Sequence, residues 1–330
     1  MPLIAPSTYR PPPLISNGHL QTILPSLMRR VNGVTYRRER IATPDDDFLD
    51  LDWSSRSQHS GLVVLCHGLE GSTATAYMKG MVRVFNRAGW SALGINFRGC
   101  SGVLNRRLRS YHSGATDDLA TVLAHVRRKT TYRAIGLIGF SLGGNLVLKY
   151  LGEQGRALRD FVSWAAAVSV PCDLKGGALT MARPACRIYM IRFLRTLCAK
   201  ARAKADRFGG QLRAEDFRGL RTFQQFDDRY TAPAHGFKDA EDYWRRCSAR
   251  FFVDRIRIPT LLINARNDPF LDPGCYPLKQ ARRSAWLHLE IPSSGGHVGF
   301  VAPCLNGDFW HERRILAFAE AQARPMQPDA

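Results

Sequence analysis

The chain has 330 residues, 45% of them hydrophobic, and carries 47 Lys and Arg against 28 Asp and Glu, a formal net charge of +19. This length suits one α/β domain with a modest insertion, and the apolar content is enough for a large core, so the chain is expected to fold unaided. The charge attracts anions, yet we find no helix-turn-helix, zinc-finger or aromatic single-strand platform. We therefore favour a solvated, arginine-rich surface over nucleic-acid binding.

Neither secretion nor a membrane span is expected. Residues 1–6 lack a basic region followed by an apolar core, and nowhere do eighteen apolar residues run together. The eight cysteines are scattered, with no Cys-x-x-Cys pair and no His/Cys cluster at metal-ligand spacing. We predict reduced thiols, no metal site and a cytoplasmic location.

The first part of the chain predicts the edge of a sheet and its first buried strands. Residues 1–33 form a proline-rich extension, in which 18–25 is expected to be neither a strand nor a long helix. Two antiparallel edge strands, joined by a turn, are predicted next. The predicted elements are strands at 34–42, 48–53, 61–66 and 91–97, and helices at 77–88 and 117–129.

In the middle of the chain an apolar strand runs directly into a helix through Gly139-Phe140-Ser141-Leu142-Gly143. This strand, turn and helix are the setting of a nucleophile elbow, in which a serine sits on a turn so sharp that small residues must flank it. Gly139 and Gly143 supply those residues. We predict that Ser141 is a nucleophile.

The regular alternation of strand and helix continues to a strand at 161–170 and then breaks. Met190, Leu194, Leu197 and Ala201 recur at helical spacing, while three arginines occupy another face of the same helix. Those arginines are Arg192, Arg195 and Arg202. We predict a mostly parallel sheet interrupted by a helical cap. The predicted divisions are a core at 1–171, with the extension 1–33, a cap at 172–250 and a second core part at 251–330.

Two residues near the ends of the last strands are candidates for the acid and the base. Asp268 follows a strand at 258–264, and His297 lies in a glycine-rich loop after a strand at 286–291, ahead of a final helix at 308–323. The order Ser141, Asp268, His297 is the order found in α/β-hydrolases, where the acid orients the histidine that activates the serine.

The sequence also contains rivals to these residues. Asp254 precedes its strand and Glu290 falls inside the next one, so Asp272 is the competing acid. His112 is a rival base, although it precedes the nucleophile. Cys100 is interpreted as a buried small residue, because the sequence gives it no partner base.

Several segments closely resemble the blocks of the YheT-like family of α/β-hydrolases (AB hydrolase superfamily, type 4), and the resemblance spans nearly the whole chain. A longer signature runs from Asp227 through Gly236-Phe237 and Ser248 to Asn267-Asp268-Pro269, with Trp244 where a tyrosine is usual. The blocks are Gly18-His19-Leu20-Gln21-Thr22, His67-Gly68-Leu69-Glu70-Gly71, Asn96-Phe97-Arg98-Gly99-Cys100-Ser101-Gly102, Tyr111-His112-Ser113-Gly114 and Gly295-Gly296-His297-Val298-Gly299-Phe300.

The resemblance implies hydrolysis of carboxylic esters, with relatives acting on lipid or medium-chain acyl esters and some acting as alcohol acyltransferases. In this fold the backbone amides of the loop after the first central strand and of the residue after the nucleophile bind the oxyanion, here Leu69 and Leu142. No metal or organic cofactor is required. The expected partner is a small-molecule acyl ester, and the oligomeric state stays open.

Two other functions remain as alternatives. The first is alcohol acyl transfer with the same three side chains. The second, minor alternative is a non-catalytic scaffold at anionic surfaces, which would explain the charge but not the complete set of candidate residues. A weak association of the basic cap with anionic membranes is compatible with each of these functions.

Overall fold

A computed structural model describes residues 3–55, 61–130, 132–209, 212–302 and 306–323. Within these residues the backbone forms one nine-stranded sheet in the order β1-β9-β8-β7-β6-β4-β5-β3-β2. The strands are β1 (Leu3–Ile4), β2 (Arg37–Ala42), β3 (Phe48–Ser54), β4 (Leu62–Cys66), β5 (Ser91–Asn96), β6 (Ile135–Phe140), β7 (Trp164–Val168), β8 (Thr260–Ile263) and β9 (Leu287–Glu290).

The sheet is mostly parallel, as predicted. Strands β2 and β3 pair antiparallel at one edge, where the sequence predicts them, and β3 also runs antiparallel to β5. All other pairings are parallel. Central strand β4 is buried on both faces: Leu62 and Val64 join one core cluster, whereas Val63 and Leu65 join the other. Alternation between two cores explains why this strand has an uninterrupted apolar sequence.

Helices cover both faces of the sheet. Residues of α3 and α4 pack in the first core cluster, and residues of α2 and α11 pack in the second. The helices of the core are α1 (Gly18–Met28), α2 (Ala76–Arg87), α3 (Thr116–Lys129), α4 (Leu142–Gln154), α10 (Leu278–Arg283) and α11 (Trp310–Ala323). The bounds of α2, α3 and α11 lie within a few residues of the predicted ones, and α4 follows the elbow as predicted, whereas neither α1 nor α10 is predicted from the sequence.

The prediction for residues 18–25 is wrong, because this segment lies in α1. The side chain of Asn17 accepts hydrogen bonds from the amides of His19 and Leu20, which satisfies the first turn of the helix. Pro25 lies inside the helix, and prolines also crowd the preceding residues. These prolines conceal the helix in the sequence, since proline usually interrupts one.

The predicted cap is a set of helices inserted between β7 and β8, and the boundaries 172–250 stay a prediction. Its longest helix, α6, buries Met190, Leu194 and Ala201 in a separate cap cluster and exposes the three predicted arginines. The cap helices are α5 (Leu174–Met181), α6 (Arg187–Arg207), α7 (Phe223–Phe226), α8 (Ala232–His235) and α9 (Ala240–Cys247). A π-helical turn at Asp227–Thr231 joins α7 to α8.

Lysine 204 of α6 is a buried anchor of the cap that the sequence does not reveal. Its Nζ donates to the carbonyl oxygens of Arg107, Leu108 and Arg109 at 2.7 to 2.9 Å. Burial lowers its pKa to about 7. The contact fixes α6 against the segment that leads to Tyr111 and His112.

The structure also bears on the expectations about membrane-spanning helices and about the cysteines. In the part of the chain that the structure describes, no helix is both long and apolar enough to cross a membrane. Seven described cysteines are free and buried, namely Cys66, Cys100, Cys172, Cys186, Cys198, Cys247 and Cys275. Cys304 lies outside the described residues.

Candidate active site

Ser141 lies on a sharp turn between β6 and α4, with φ of 52° and ψ of −118°. A positive φ strains any residue with a Cβ. Because the turn is so sharp, neighbouring segments of backbone also come very close to each other. A Cβ on Gly139 would overlap the carbonyl oxygen of Gly143, and one on Gly143 would overlap that of His67. The two glycines are thus needed for the steric reason that the sequence pattern implies.

The three predicted side chains Ser141, His297 and Asp268 form one hydrogen-bonded line. His297 Nε2 lies 2.9 Å from Ser141 Oγ, and His297 Nδ1 lies 2.8 Å from Asp268 Oδ2. The Asp268 side chain is fully buried, and the His297 side chain is 11% exposed. With Nδ1 donating to the carboxylate, Nε2 is left as the acceptor for the serine hydroxyl.

The loop 294–299, here called the histidine loop, is held by residues far away in the sequence. The His297 amide donates to Thr22 Oγ1 at 2.9 Å, and Thr22 in turn donates to the carbonyl of Gly18 at 2.7 Å. Gln21 is fully buried and donates to Ser294 Oγ at 3.0 Å. Helix α1 therefore supports this loop. The clue in the sequence is the Gly18–Thr22 block, which taken alone indicates no role.

Asp268 is the acid that meets His297, and Asp272 is directed elsewhere. The Asp268 carboxylate also accepts the amide of Phe270 at 2.9 Å. Asp272 Oδ1 accepts the thiol of Cys275 at 3.1 Å, and its carboxyl lies against Gly176 of α5. The structure therefore favours Asp268 in the competition that the sequence leaves open.

The other rivals, Cys100 and His112, make no hydrogen bond to Ser141 among the described contacts, and their own contacts lie elsewhere. The Cys100 thiol is buried, which raises its pKa to about 11, and it accepts a hydrogen bond from Lys200. A thiol held protonated at neutral pH is a poor nucleophile. His112 packs its ring against His235 and Tyr243, and Nδ1 accepts the amide of Gly114 at 3.2 Å.

The amides of Leu69 and Leu142 are available to a ligand. Among the described residues, neither amide has a hydrogen-bond partner, as expected for Leu142 in the first turn of α4. Both residues line the same pocket as Ser141. We call residues 67–71 the oxyanion loop, after the role that the sequence predicts for Leu69.

A closed set of hydrogen bonds holds the oxyanion loop in shape. Glu70 has φ of 53°, and its amide donates to the Tyr111 hydroxyl at 2.8 Å while that hydroxyl donates to Glu70 Oε1 at 2.7 Å. His67 is fully buried, with Nδ1 2.7 Å from the Gly68 carbonyl and Nε2 accepting the amide of Phe97. Burial lowers the pKa of His67 to about 4, so it is neutral at pH 7.

Comparisons with known proteins agree with this architecture. A family model described as the α/β hydrolase fold matches residues 61–301. YheT of Escherichia coli (strain K12), an esterase by name, is 38% identical over 91% of this chain and 89% of its own length. The chain belongs to the YheT-like family of α/β-hydrolases. Identity at this level over nearly the whole of both chains decides the family.

More distant relatives of this hydrolase carry lipase names. Phospholipase ABHD3 of Mus musculus is 27% identical over 90% of this chain and 74% of its own length. A monoacylglycerol lipase of Saccharomyces cerevisiae is also 27% identical, over 90% of this chain and 67% of the relative. This is a family of esterase- and lipase-type enzymes.

Solved structures show the same fold. The Pyrococcus furiosus esterase Pf2001 superposes with a TM-score of 0.59, at 15% identity over 90% of this chain and 97% of that one. Brefeldin A esterase, a bacterial homologue of human hormone-sensitive lipase, gives 0.60, at 14% identity over 94% and 84%. The predicted α/β-hydrolase fold is confirmed.

The hydrolase encloses a pocket between the sheet and the cap, with about 1060 Å³ of free space, part of it open to solvent. Ser141 and His297 lie on its core side, and Phe270, whose ring centroid is 4.3 Å from that of His297, lies beside them. The apolar lining includes Leu69, Leu142, Leu174, Met181, Phe193, Leu197, Phe223 and Phe226. An apolar pocket of this kind accommodates hydrocarbon.

Proposed function

We propose that this protein is a serine hydrolase that cleaves carboxylic esters through an acyl-serine intermediate. The observation that carries the proposal is the line from Asp268 through His297 to Ser141, with hydrogen bonds of 2.8 and 2.9 Å, at the wall of an apolar pocket. Nucleophile, base and orienting acid lie within the reach that such chemistry requires. The esterase and lipase names of the relatives support the same reaction class.

In this mechanism His297 Nε2 takes the hydroxyl proton as Ser141 Oγ attacks the ester carbonyl. The amides of Leu69 and Leu142 stabilise the oxyanion of the tetrahedral intermediate. His297 then gives the proton to the alcohol leaving group, and an acyl-serine remains. Water, deprotonated by His297, releases the acid and restores Ser141. Asp268 holds the imidazole in the tautomer that these steps need and stabilises its charged form.

The pocket lining supports a substrate with an aliphatic acyl chain. Met181, Phe193, Leu197 and Phe270 present hydrocarbon surface next to Ser141 and His297. Each buried methylene contributes about 0.8 kcal/mol of transfer free energy, so turnover should improve as the chain lengthens until the pocket is full. We propose medium-chain or lipid acyl esters as the substrate class.

The test uses nitrophenyl esters of increasing acyl length with wild type and four variants. Ser141→Ala and His297→Ala should each lose several orders of magnitude in kcat, and Asp268→Asn about 10⁴. Asp272→Asn is the matched control and should retain activity, because its carboxyl contacts Cys275 instead of His297. Circular dichroism and thermal melting verify that each variant is folded.

Three results would contradict parts of the proposal. If wild type cleaved no ester of any acyl length, the proposed enzyme activity would be wrong and the scaffold function would be favoured. If Asp268→Asn kept full activity and Asp272→Asn lost it, the orienting acid would be Asp272 instead of Asp268. With a medium-chain ester and millimolar alcohol, mostly new ester in place of free acid would make the protein an acyltransferase that uses the same side chains.

A further inference from the structure

Two polar side chains of the pocket wall take no part in the proposed ester chemistry. They are His112, in the segment before α3, and Asp227, at the start of the π-helical turn of the cap. Both are enclosed by the protein, yet each keeps some accessible surface, and both line the same pocket as Ser141. Both side chains can therefore contact a molecule bound in the pocket.

The hydrogen bonding of His112 leaves one ring nitrogen as a free donor. Its Nδ1 accepts the amide of Gly114 at 3.2 Å, so in the neutral imidazole the proton resides on Nε2. Burial lowers the pKa of His112 well below its usual value, which keeps the ring neutral. Within the described part of the chain, Nε2 has no hydrogen-bond partner. This N–H is therefore free to donate to a group bound in the pocket.

Asp227 is the complementary group. Its Oδ1 accepts the hydroxyl of Thr231 at 2.6 Å, and its Oδ2 accepts the indole N–H of Trp244 at 2.9 Å. No ion pair with a described Lys, Arg or His is formed. Burial raises the pKa of this carboxyl to about 7. Each oxygen keeps a free lone pair for a donor from the pocket.

Helix α9 fixes both groups. The Tyr243 hydroxyl accepts the amide of Ser113, next to His112, and the Tyr243 and His112 ring centroids are 5.6 Å apart. The following residue, Trp244, makes the indole bond to Asp227. Two adjacent residues of one helix thus contact the two side chains, Tyr243 through the His112 ring and Trp244 through the Asp227 carboxylate. π-Helical turns such as the one that carries Asp227 occur frequently at functional sites.

We propose that His112 and Asp227 form a polar subsite that binds a hydroxyl group of the ester substrate. A hydroxyl accepts from an N–H and donates to a carboxylate at once, and a diol can use one oxygen for each group. Above pH 7, where the Asp227 carboxyl is mostly ionised, it would repel an anionic group. The proposal deepens the proposed function by giving the substrate a hydroxyl in addition to its acyl chain, and it rests on that function.

The expected selectivity follows from the cost of unpaired buried groups. A site built to bind a hydroxyl discriminates strongly against an analogue that lacks it, because the site's own polar atoms then stay unsatisfied. We expect wild type to have at least tenfold higher kcat/KM for a hydroxylated ester than for its deoxy analogue.

The experiment compares esters that differ in the position of the hydroxyl. One pair is the glyceryl and the propyl ester of octanoic acid, with the hydroxyls in the alcohol. The other is propyl 8-hydroxyoctanoate against propyl octanoate, with the hydroxyl in the acyl chain. Asp227→Asn and His112→Phe should abolish the wild-type preference within one pair, because they lower kcat/KM for its hydroxylated member at least tenfold more than for propyl octanoate. The pair that responds identifies where the hydroxyl lies.

The subsite would be overturned if wild type hydrolysed both members of each pair at equal rates. It would also be overturned if the variants lost the same activity on every ester, because such a loss indicates a structural role. Each series also includes a choline ester. If Asp227→Asn lowered the turnover of this ester and of no other, the subsite would bind a cation, and the proposal would be overturned. Calorimetric binding of 1-octylglycerol ether and of octyl propyl ether to Ser141→Ala makes the same comparison without turnover. Failure of the ester chemistry is thereby distinguished from failure of the subsite.

Discussion

Lys200 of helix α6 donates a hydrogen bond of 2.9 Å to Glu70, the residue that follows Leu69 in the oxyanion loop. The Lys200 side chain is 31% exposed and that of Glu70 is 7% exposed. Burial opposes the charge of Lys200, but Cys100 and Glu70 raise its pKa above the usual value. A cap residue thus contacts the residue that joins Leu69 to the hydrogen bonds of Tyr111.

Replacing this lysine should therefore impair the oxyanion loop. Loss of one oxyanion donor costs 10² to 10³ in kcat, and loosening one should cost less, so we expect Lys200→Met to lower kcat about tenfold with KM nearly unchanged. Steady-state kinetics on a medium-chain ester measures both constants. Lys175→Met is the control, because it removes a solvent-exposed ion pair with Glu241. A rise in KM alone would mean that Lys200 only shapes the pocket.

Thr22 should position the proposed base His297, although it lies 275 residues away in sequence. Thr22→Val keeps the shape of the side chain but leaves the His297 amide without its acceptor, so kcat should fall about tenfold. Thr22→Ser keeps the hydroxyl and should therefore retain the wild-type kcat. Thr196→Val, which alters an exposed hydroxyl on α6, should have no effect. Unchanged kcat with a lower melting temperature would assign Thr22 to stability only.

His311 should make the protein sensitive to acid. It is fully buried, both ring nitrogens lack a partner among the described residues, and burial lowers its pKa to about 3. Between about pH 6.5 and 3 His311 binds a proton in the unfolded chain but not in the folded protein. The stability of the folded protein therefore falls as the pH falls through this range.

Accordingly, His311→Leu should make the free energy of unfolding less dependent on pH between 6.5 and 4. Near pH 7 it should be neutral or stabilising by about 1 to 3 kcal/mol, since it removes two unsatisfied polar atoms. Urea titrations at each pH measure the change. An unchanged slope together with a large loss at pH 7 would show that His311 is needed for packing.

We also propose that the cap associates with anionic lipid surfaces. Ile188 and Ile191 of α6 are 72% and 57% exposed and lie among the arginines of that helix. Apolar side chains flanked by cations suit an anionic interface, and the attraction should weaken with salt as the Debye length falls to about 10 Å at 0.1 M. The net charge of +19 adds to it.

Vesicle flotation at low salt tests this association. Binding to anionic vesicles should exceed binding to neutral ones, and Ile188→Ser with Ile191→Ser should reduce it several-fold. Leu278→Ser, which changes an exposed leucine on the core helix α10, is the control. Equal binding of wild type to anionic and neutral vesicles would refute the proposal.

Much of the site could be predicted from local sequence. The elbow around Ser141 has a local steric cause, because Gly139 and Gly143 are needed wherever a serine stands on so tight a turn. Asp268 and His297 each follow a buried strand, and parallel strands bring their carboxyl ends to one edge of the sheet. The α/β alternation and the apolar strands predict that sheet directly.

Other features were decided only by the tertiary structure. The helix at Gly18–Met28 is hidden by prolines, and its support of His297 depends on an amide and a hydroxyl from opposite ends of the chain. The contact of Lys200 with Glu70 spans 130 residues. Periodicity shows which face of a segment is buried, but it carries no information about which distant segment covers that face. Partners of this kind are chosen by packing, and packing is a property of the whole folded chain.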